Sequence, residues 1–211
     1  VYVLGGFVNT DKLLKISTKY GIPIIEDSTE ALGSFKKGKH AGTFGLTGVL
    51  SFNGNKIIST GGGGMILTDN EEIAIRARHI STTAKSDALE YFHNEVGYNY
   101  RLVNVLAAIG LAQMENFESI LKRKKEIDAL YRSELHGVGD IKFQENDTDS
   151  DPNCWLFTFR TKKMRTLLNH LNSNKIQCRP FWTPMNKLPM YKELTYITEK
   201  DISNKIFKKC I

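Results

Sequence analysis

Two short apolar runs, each ending in polar residues, most limit what this chain can fold into. The first is IPII, which is followed by Glu26 and Asp27, and the second is GVL, which is followed by Ser51. A helical pattern at 11–20 precedes the first run, with its apolar residues on or near one face. Short apolar runs that alternate with a helix are typical of βαβ units. The sequence therefore predicts an α/β fold in which both runs are buried strands of a mostly parallel sheet.

A lysine and a run of glycines follow the second apolar run. Lys56 comes shortly after Ser51, and four glycines stand at 61–64. Ligands of open α/β sheets bind beyond the carboxyl ends of the strands, where Asp27 and Lys56 are both predicted to lie. A lysine amine can form a Schiff base with pyridoxal phosphate (PLP), and a carboxylate can keep its ring nitrogen protonated. A serine hydroxyl and backbone N–H groups can hold the phosphate, so this order of residues indicates a PLP site.

Each of these signals also has an ordinary structural interpretation. A lysine after a strand is most often solvated, and an aspartate at a strand end often caps a helix or forms a turn. Four successive glycines most often form a tight turn. No signal is specific alone, and the order and spacing of all three carry the prediction.

Six short strings occur in a defined order along the chain. They are EDSTEALGS (26–34), GTFG (42–45), SFNGNK (51–56), TGGGG (60–64), GYNYRL (97–102) and RPFWTPMN (179–186). In this order, and with these approximate gaps, they resemble strings of the DegT/DnrJ/StrS-type sugar aminotransferases. The resemblance spans essentially the whole chain. It implies a PLP-dependent transferase of fold type I, with a large α/β domain and a small C-terminal α+β domain.

The resemblance implies roles for the residues at the strand ends. Asp27 would pair with the pyridine nitrogen, Ser51 would bind the phosphate, and Lys56 would form the Schiff base. A histidine in place of Lys56 would divert the chemistry to dehydration, because the covalent link could not form, so the lysine favours transamination. The released Lys56 amine would move the proton between the substrate carbon and C4′ of the cofactor.

Four further site residues follow from the same resemblance. Glu30 stands on the hydroxyl side of the ring, where its anion would be repulsive unless protonated or turned away. A glutamate here resembles the branch that makes legionaminic-acid-type sugars, although it could also simply cap a following helix. Asn99 would reach the phosphate from the neighbouring subunit, and Arg101 would contact the anionic substrate or support its own loop. Asn186 would line the substrate wall, where the family often has histidine.

The resemblance also implies an activity. The enzyme would transfer an amino group, with glutamate as donor, to a nucleotide-diphospho-keto-sugar in amino-sugar or surface-polysaccharide biosynthesis, and would be a homodimer with a shared active site. A PLP-dependent sugar dehydratase or lyase is the first alternative. A regulatory or DNA-binding protein is the second, suggested by the pI of about 9.1. It lacks a recognition module, and no GxGxxG string supports a dinucleotide-dependent oxidoreductase.

Composition restricts the remaining classes. The 211 residues are 41% hydrophobic and 25% charged, as in globular proteins, and no apolar stretch reaches membrane-spanning length. Cys154, Cys178 and Cys210 are widely spaced and form no CxxC pattern, which favours reduced thiols in the cytoplasm and no metal site. The basic cluster at 122–125 is interleaved with acidic residues and predicts a solvated helix face rather than a nucleic-acid site.

Turn-forming residues divide the chain. A GVG turn at 137–139 and an acid-rich stretch at 145–152 predict a large domain at 1–136 and a small α+β domain at 137–211. The chain starts on an apolar run without Met and stops within a helical pattern, so we expect a piece of a longer protein that lacks its N-terminal part. Strands are predicted at 1–4, 22–26, 32–35, 47–52, 65–68, 155–160 and 176–179, and helices at 11–20, 71–79, 104–135 (broken near Phe117) and 164–173.

Overall fold

The computed structural model describes residues 1–211. Its helices and strands are numbered here in chain order. The helices are α1 (Thr10–Tyr20), α2 (Glu71–Ser81), α3 (Asn104–Glu115), α4 (Phe117–Leu135), α5 (Met164–Ser173) and α6 (Ile202–Phe207). The strands are β1 (Ile25–Asp27), β2 (Phe35–Lys36), β3 (Lys39–His40), β4 (Thr47–Ser51), β5 (Gly64–Leu67), β6 (Lys85–Asp87), β7 (Phe92–His93), β8 (Lys142–Phe143), β9 (Ser150–Asp151) and β10 (Phe159–Arg160).

The chain forms two compact units. The first contains Val1–Ile127 and Asn146–Leu156, and the second contains Asp128–Glu145 and Phe157–Ile211. The chain therefore leaves the first unit within α4 and returns to it once before completing the second. The predicted domains at 1–136 and 137–211 stay a prediction. The compact units differ from them around that boundary, because residues 128–136 belong to the second unit and 146–156 to the first.

The first unit is built around the three-stranded sheet β1-β4-β5. Strands β1 and β4 are parallel, with Asp27 opposite Val49, whereas β4 and β5 are antiparallel, with Ser51 opposite Gly64. Within this chain, the expected parallel arrangement thus holds for the first pair only. The second pair is antiparallel because the connection between β4 and β5 contains no helix to carry the chain back across the sheet.

The main helices form where the apolar pattern predicts them. Asn9 caps α1 by accepting a hydrogen bond from the Lys12 N–H (3.0 Å), and Gly21 ends the helix with φ of 63°, a left-handed conformation that favours glycine. The long helical pattern breaks at Asn116, one residue from the predicted place. The predicted helix at 164–173 is confirmed as α5.

The predicted strand at 1–4 is wrong. Val3–Gly5 forms a turn of 3₁₀ helix, and Leu4 within it has φ of 58°. The Leu4 N–H donates to Oε2 of Glu30 (2.7 Å) and is therefore not available to a neighbouring strand. The run is apolar, but only Tyr2 and Leu4 are buried, and its composition gives no sign of this side-chain acceptor.

Three other predicted strands are shorter or absent. Only β2 and β10 remain of the strands predicted at 32–35 and 155–160, and no strand forms at 176–179. The backbone N–H of Trp155 donates to the side-chain oxygen of Asn153 (3.1 Å) instead of entering a sheet ladder. Local hydrogen bonds of this kind compete directly with strand pairing.

A buried carboxylate holds β1 against the following loop. Glu26 is only 3% exposed and accepts hydrogen bonds from the Tyr2 hydroxyl (2.5 Å) and from the N–H groups of Gly42 (2.9 Å) and Gly45 (2.5 Å). These donors compensate the cost of burying the charge. Ile25 beside it is 73% exposed, so the predicted burial of this apolar run is wrong, and the polar residue takes the interior face.

The second unit has its own small core. Strands β8 and β10 pair antiparallel, and the α5 residues Met164 and Leu168 pack with Ile211 and Phe159. The three cysteines of the chain form no disulfide. None of the helices has both the length and the apolar character that crossing a membrane requires.

Candidate active site

The carboxyl ends of β1 and β4 bring Asp27 and Ser51 to one edge of the sheet. The strands are parallel, and Asp27 lies opposite Val49, so Ser51 is two residues further along β4. At the usual spacing and rise of strands, the Cα atoms of Asp27 and Ser51 are roughly 8 Å apart. Lys56 lies on the loop that leaves β4 at the same edge. The sheet therefore gathers three of the predicted site residues.

Asp27 keeps one carboxylate oxygen available. Its Oδ1 accepts hydrogen bonds from the backbone N–H (3.2 Å) and the hydroxyl (2.7 Å) of Thr29, whereas Oδ2 accepts none. The side chain is half-buried on the face of β1 opposite to Glu26. A carboxylate held in this way can accept a further hydrogen bond from an N–H group, such as that of a protonated ring nitrogen.

Ser51 has a hydroxyl hydrogen left to donate. Its Oγ accepts a hydrogen bond from the Asn53 N–H (3.3 Å) and makes no other hydrogen bond. The loop after Ser51 is tied to the glycine run, since the Phe52 N–H donates to the Gly63 carbonyl (2.9 Å). A Cβ added at Gly62 would meet no atom within 4 Å, so there is open space beside this part of the glycine run.

The Lys56 amine lies over an aromatic face. Its Nζ is 4.0 Å from the centroid of the Trp155 indole, and no carboxylate is within ion-pairing distance. Trp155 is 2% exposed, and its Nε1–H donates to the Asn55 carbonyl (2.6 Å). The indole thus contacts two consecutive residues of the SFNGNK string. Sequence analysis missed Trp155, because its place near Lys56 depends on the fold.

Asn153 connects the indole to the loop that follows Asp27. It is fully buried, and its backbone N–H donates to Ser34 Oγ (3.0 Å). Its Nδ2 donates to the carbonyls of Glu30 (2.8 Å) and Leu32 (3.0 Å), and its Oδ1 accepts from the Trp155 N–H. No sequence signal identified Asn153, since 119 residues separate it from Ser34.

Glu30 is engaged by the backbone of the N-terminal turn. Its Oε2 accepts the hydrogen bond from Leu4, and the carboxylate therefore has one oxygen committed to a neutral donor. No helix follows Glu30 directly, so the alternative interpretation as a helix cap does not apply.

His40 holds the same loop from another side. Its Nε2 accepts a hydrogen bond from the Gly33 N–H (2.8 Å), which requires that nitrogen to be unprotonated. Burial lowers the pKa of His40 below its ordinary value. The imidazole is therefore kept neutral as an acceptor.

Asn99 and Arg101 are exposed, and neither side chain has a hydrogen-bond or ion-pair partner within the chain. The backbone of Asn99 pairs with Thr82 in an isolated bridge. A Cβ at Gly63 would lie 2.7 Å from a methyl of Leu102, so the segment carrying Asn99 and Arg101 borders the glycine run.

Asn186 belongs to the second unit. It lies in a 3₁₀ turn at Met185–Lys187, and its Oδ1 is buried without a hydrogen-bond partner. Such an atom loses its water without gaining a donor, which costs stability.

Comparison with known proteins identifies the family. The model of the DegT/DnrJ/EryC1/StrS aminotransferase family matches residues 1–211. The chain belongs to this family. The resemblance found in the six strings is thereby confirmed.

Relatives of this DegT-family chain are similar over nearly all of its length. EpsN of Bacillus subtilis (strain 168) is 33% identical over 217 residues, which cover 100% of this chain and 56% of EpsN. The GDP-perosamine synthase of Escherichia coli O157:H7 is 34% identical over 196 residues, which cover 92% of this chain and 53% of that protein. The chain thus spans about half the length of the curated relatives it matches.

A solved structure agrees with the predicted fold of this DegT-family chain. The crystal structure of DesV from S. venezuelae matches with a TM-score of 0.90 and 26% identity, covering 99% of this chain and 57% of DesV. The predicted α/β class, of fold type I, is confirmed.

Proposed function

We propose that the full-length protein is a PLP-dependent aminotransferase that transfers an amino group, from glutamate, to a nucleotide-diphospho-keto-sugar. The observation that carries the proposal is the gathering of Asp27, Ser51 and Lys56 at one sheet edge. Family membership supports the reaction, and the relative named GDP-perosamine synthase supports the substrate class. We place the reaction in the cytoplasm, because the widely spaced cysteines favour a reducing compartment.

The residues at the sheet edge fit PLP by the chemistry of their unpaired groups. Oδ2 of Asp27 would accept a hydrogen bond from the protonated ring nitrogen, and the Ser51 hydroxyl would donate to the phosphate. When bound, PLP supplies the electron sink that amino transfer needs.

In this proposal Lys56 has two roles. Its amine bonds covalently to the cofactor, and the absence of a carboxylate partner leaves it available as a nucleophile. When substrate takes its place, the released amine moves the proton between the substrate carbon and C4′. Lys56 therefore favours transamination over the dehydratase alternative.

The hydrogen bonds of Thr29 orient Asp27. They hold Oδ1 and so restrict rotation of the carboxylate, which would leave Oδ2 to accept from the ring nitrogen of bound PLP. A carboxylate at this place keeps the ring cationic and maintains its capacity to accept electrons. Glu30 would stand on the hydroxyl side of the ring. Donation from Leu4 to its Oε2 holds that oxygen on the protein side and so limits repulsion.

We further propose that the protein is a homodimer in which Asn99 reaches the phosphate of the partner's site. Helix α3 is rich in apolar residues and buries none of them, and Val105 and Leu111 are 71% and 64% exposed. Tyr100, next to Asn99, is 79% exposed. A helix that is apolar all round is ordinarily buried, so this face suits a subunit interface. Light scattering of the full-length protein would give its oligomeric state.

Substrate contacts are assigned to Arg101 and Asn186. The exposed guanidinium of Arg101 has no carboxylate partner and would pair with the diphosphate of the substrate. The buried, unpartnered Oδ1 of Asn186 would accept a hydrogen bond from a sugar hydroxyl.

Mass spectrometry of the reaction products tests the proposed function. Full-length protein with PLP and glutamate would be incubated with a panel of nucleotide-diphospho-keto-sugars. We expect a product in which an amino group replaces the carbonyl oxygen. Lys56→Ala should abolish this product and the visible absorbance of the lysine-bound cofactor, whereas Lys19→Ala on the exposed end of α1 should change neither. A dehydrated sugar, or covalent cofactor in Lys56→Ala, would contradict the proposal.

A further inference from the structure

The roles proposed above for Lys56 do not explain its contact with Trp155. The amine lies on the indole face, with Nζ 4.0 Å from the ring centroid. The Nε1–H of the same ring donates to the carbonyl of Asn55 (2.6 Å). One side chain therefore holds both the backbone before the lysine and the end of the lysine side chain. An aromatic residue that only fills the core is not expected to bind both the backbone of one loop residue and the amine of the next.

The position of the indole is imposed by the fold and not by Lys56. The Trp155 N–H donates to Asn153, which is buried and bonded to Ser34 and to the loop after Asp27. The Trp155 carbonyl accepts a hydrogen bond from Lys124 Nζ (3.2 Å) on α4. With its backbone held at both ends and its Nε1–H bonded, the ring forms a rigid surface beneath the amine.

A rigid surface matters because the lysine side chain is flexible. Its stem has four carbons, and a free amine would sample many positions in solvent. A cation over the face of tryptophan is attracted by the ring quadrupole, and the attraction strengthens where water is excluded. Trp155 is 2% exposed, so its face is largely dry.

We propose that Trp155 is a positioning residue for Lys56, and that its indole face is where the amine rests before it first bonds to the cofactor. The inference rests on the proposed role of Lys56. In the capture of free PLP, the ammonium would first give its extra proton to solvent, the neutral amine nitrogen would bond to the aldehyde carbon, and the aldehyde oxygen would leave as water. A resting position beside the site shortens the search that precedes this step.

The rate of cofactor capture tests the role of the ring face. Full-length apoprotein would be mixed rapidly with PLP, and the absorbance of the lysine-bound cofactor followed with time. Trp155→Leu removes the face and should slow capture on the order of tenfold. Trp155→Phe keeps a face without Nε1–H and should stay within roughly threefold of the wild type. Tyr20→Leu removes the ring beneath Lys19 on the exposed end of α1 and should leave the rate unchanged.

Borohydride reduction and peptide mapping separate this inference from the proposed function. If PLP is not attached to Lys56 in the wild type, the proposed function itself fails. If it is attached there, and Trp155→Leu captures PLP at the wild-type rate, only the positioning role is overturned. Capture slowed equally in Trp155→Phe and Trp155→Leu would also overturn it, because the Nε1–H bond and not the face would then be responsible.

A second measurement does not depend on the folding of Trp155 variants. The chain has two tryptophans, so Trp182→Phe leaves Trp155 as its single emitter. In that background and without cofactor, Lys56→Met should change the intensity of Trp155 emission, because it removes the cation from the ring face. Lys19→Met should not. Identical emission in the Lys56 and Lys19 variants would show that the amine does not rest on the ring.

Discussion

At the residue scale, adjacent carboxylates on β1 have opposite tasks. Glu26 is buried and bonded to three donors, whereas Asp27 faces the other side with Oδ2 unpaired. Side chains alternate along a strand, so a single step along the chain separates the structural carboxylate from the one at the sheet edge. Both carboxylates are visible in the sequence, but only the structure shows that the buried hydrogen-bond donors hold Glu26 and leave Asp27 available.

The role of Asp27 is tested by removing its charge at constant shape. We expect Asp27→Asn to bind PLP yet to lose turnover by about a thousandfold, because the ring nitrogen would no longer be kept protonated. Cofactor absorbance reports binding, and steady-state rates with the keto-sugar report turnover. Asp69→Asn, which follows β5 away from the site residues, is the control. Near-normal turnover in Asp27→Asn would show that another acid protonates the ring.

At the element scale, the loop after β1 is held both by a residue far along the chain and by a nearby one. Asn153 binds it at Ser34, Glu30 and Leu32, and His40 binds it at Gly33. The strand ends and helices could be predicted from periodicity, because those signals are local. The bonds from Asn153 could not, because hydrogen bonds across more than a hundred residues leave no local pattern.

Asn153→Asp tests how much the buried amide stabilises the first unit. The substitution keeps the shape but presents an oxygen to the carbonyls of Glu30 and Leu32 in place of two donated hydrogen bonds. We expect a loss of roughly 3 kcal/mol or more in the free energy of unfolding, measured by chemical denaturation. Asn9→Asp, at the exposed cap of α1, should be neutral since aspartate caps helices equally well. Equal stability of the two variants would contradict the role given to Asn153.

His40 predicts how stability depends on pH. Because its pKa is lowered in the folded state, its contribution is fully present above the ordinary value of 6.5 and is lost as pH falls from there through the folded pKa. The loss is about 1.4 kcal/mol for each unit by which the pKa is lowered. His40→Gln keeps an acceptor but cannot titrate, so its melting temperature should fall less below pH 6.5. Parallel curves for the two proteins would exclude His40 as the cause.

At the scale of the whole molecule, large apolar side chains remain on the surface of this chain. Ile25 is 73% exposed, Leu89 is 86% exposed, and Val105 is 71% exposed. The chain spans about half of its curated relatives, and parallel sheets are ordinarily covered on both faces. The apolar run of β1 was predicted to lie in the interior, so its exposure is a difference from the prediction.

The isolated 211-residue chain should therefore associate with itself and bind a hydrophobic dye. We expect severalfold stronger dye fluorescence per molecule than for the full-length protein, and weak or no PLP binding. Dye fluorescence and light scattering measured side by side would check this. A chain that is monomeric, dye-negative and able to bind PLP would show that its surface needs no further covering.

The discontinuous make-up of the first unit restricts how this gene can recombine. Asn146–Leu156 completes that unit after the chain has already entered the second one. A single crossover with a related gene anywhere between the codons of Lys56 and Trp155 would unite a lysine from one parent with an indole from the other. Functional chimaeras should therefore inherit the codons of Lys56 and Trp155 from the same parent. This requires either two crossovers between those codons or none. Grafting the first unit into another protein would likewise need two junctions.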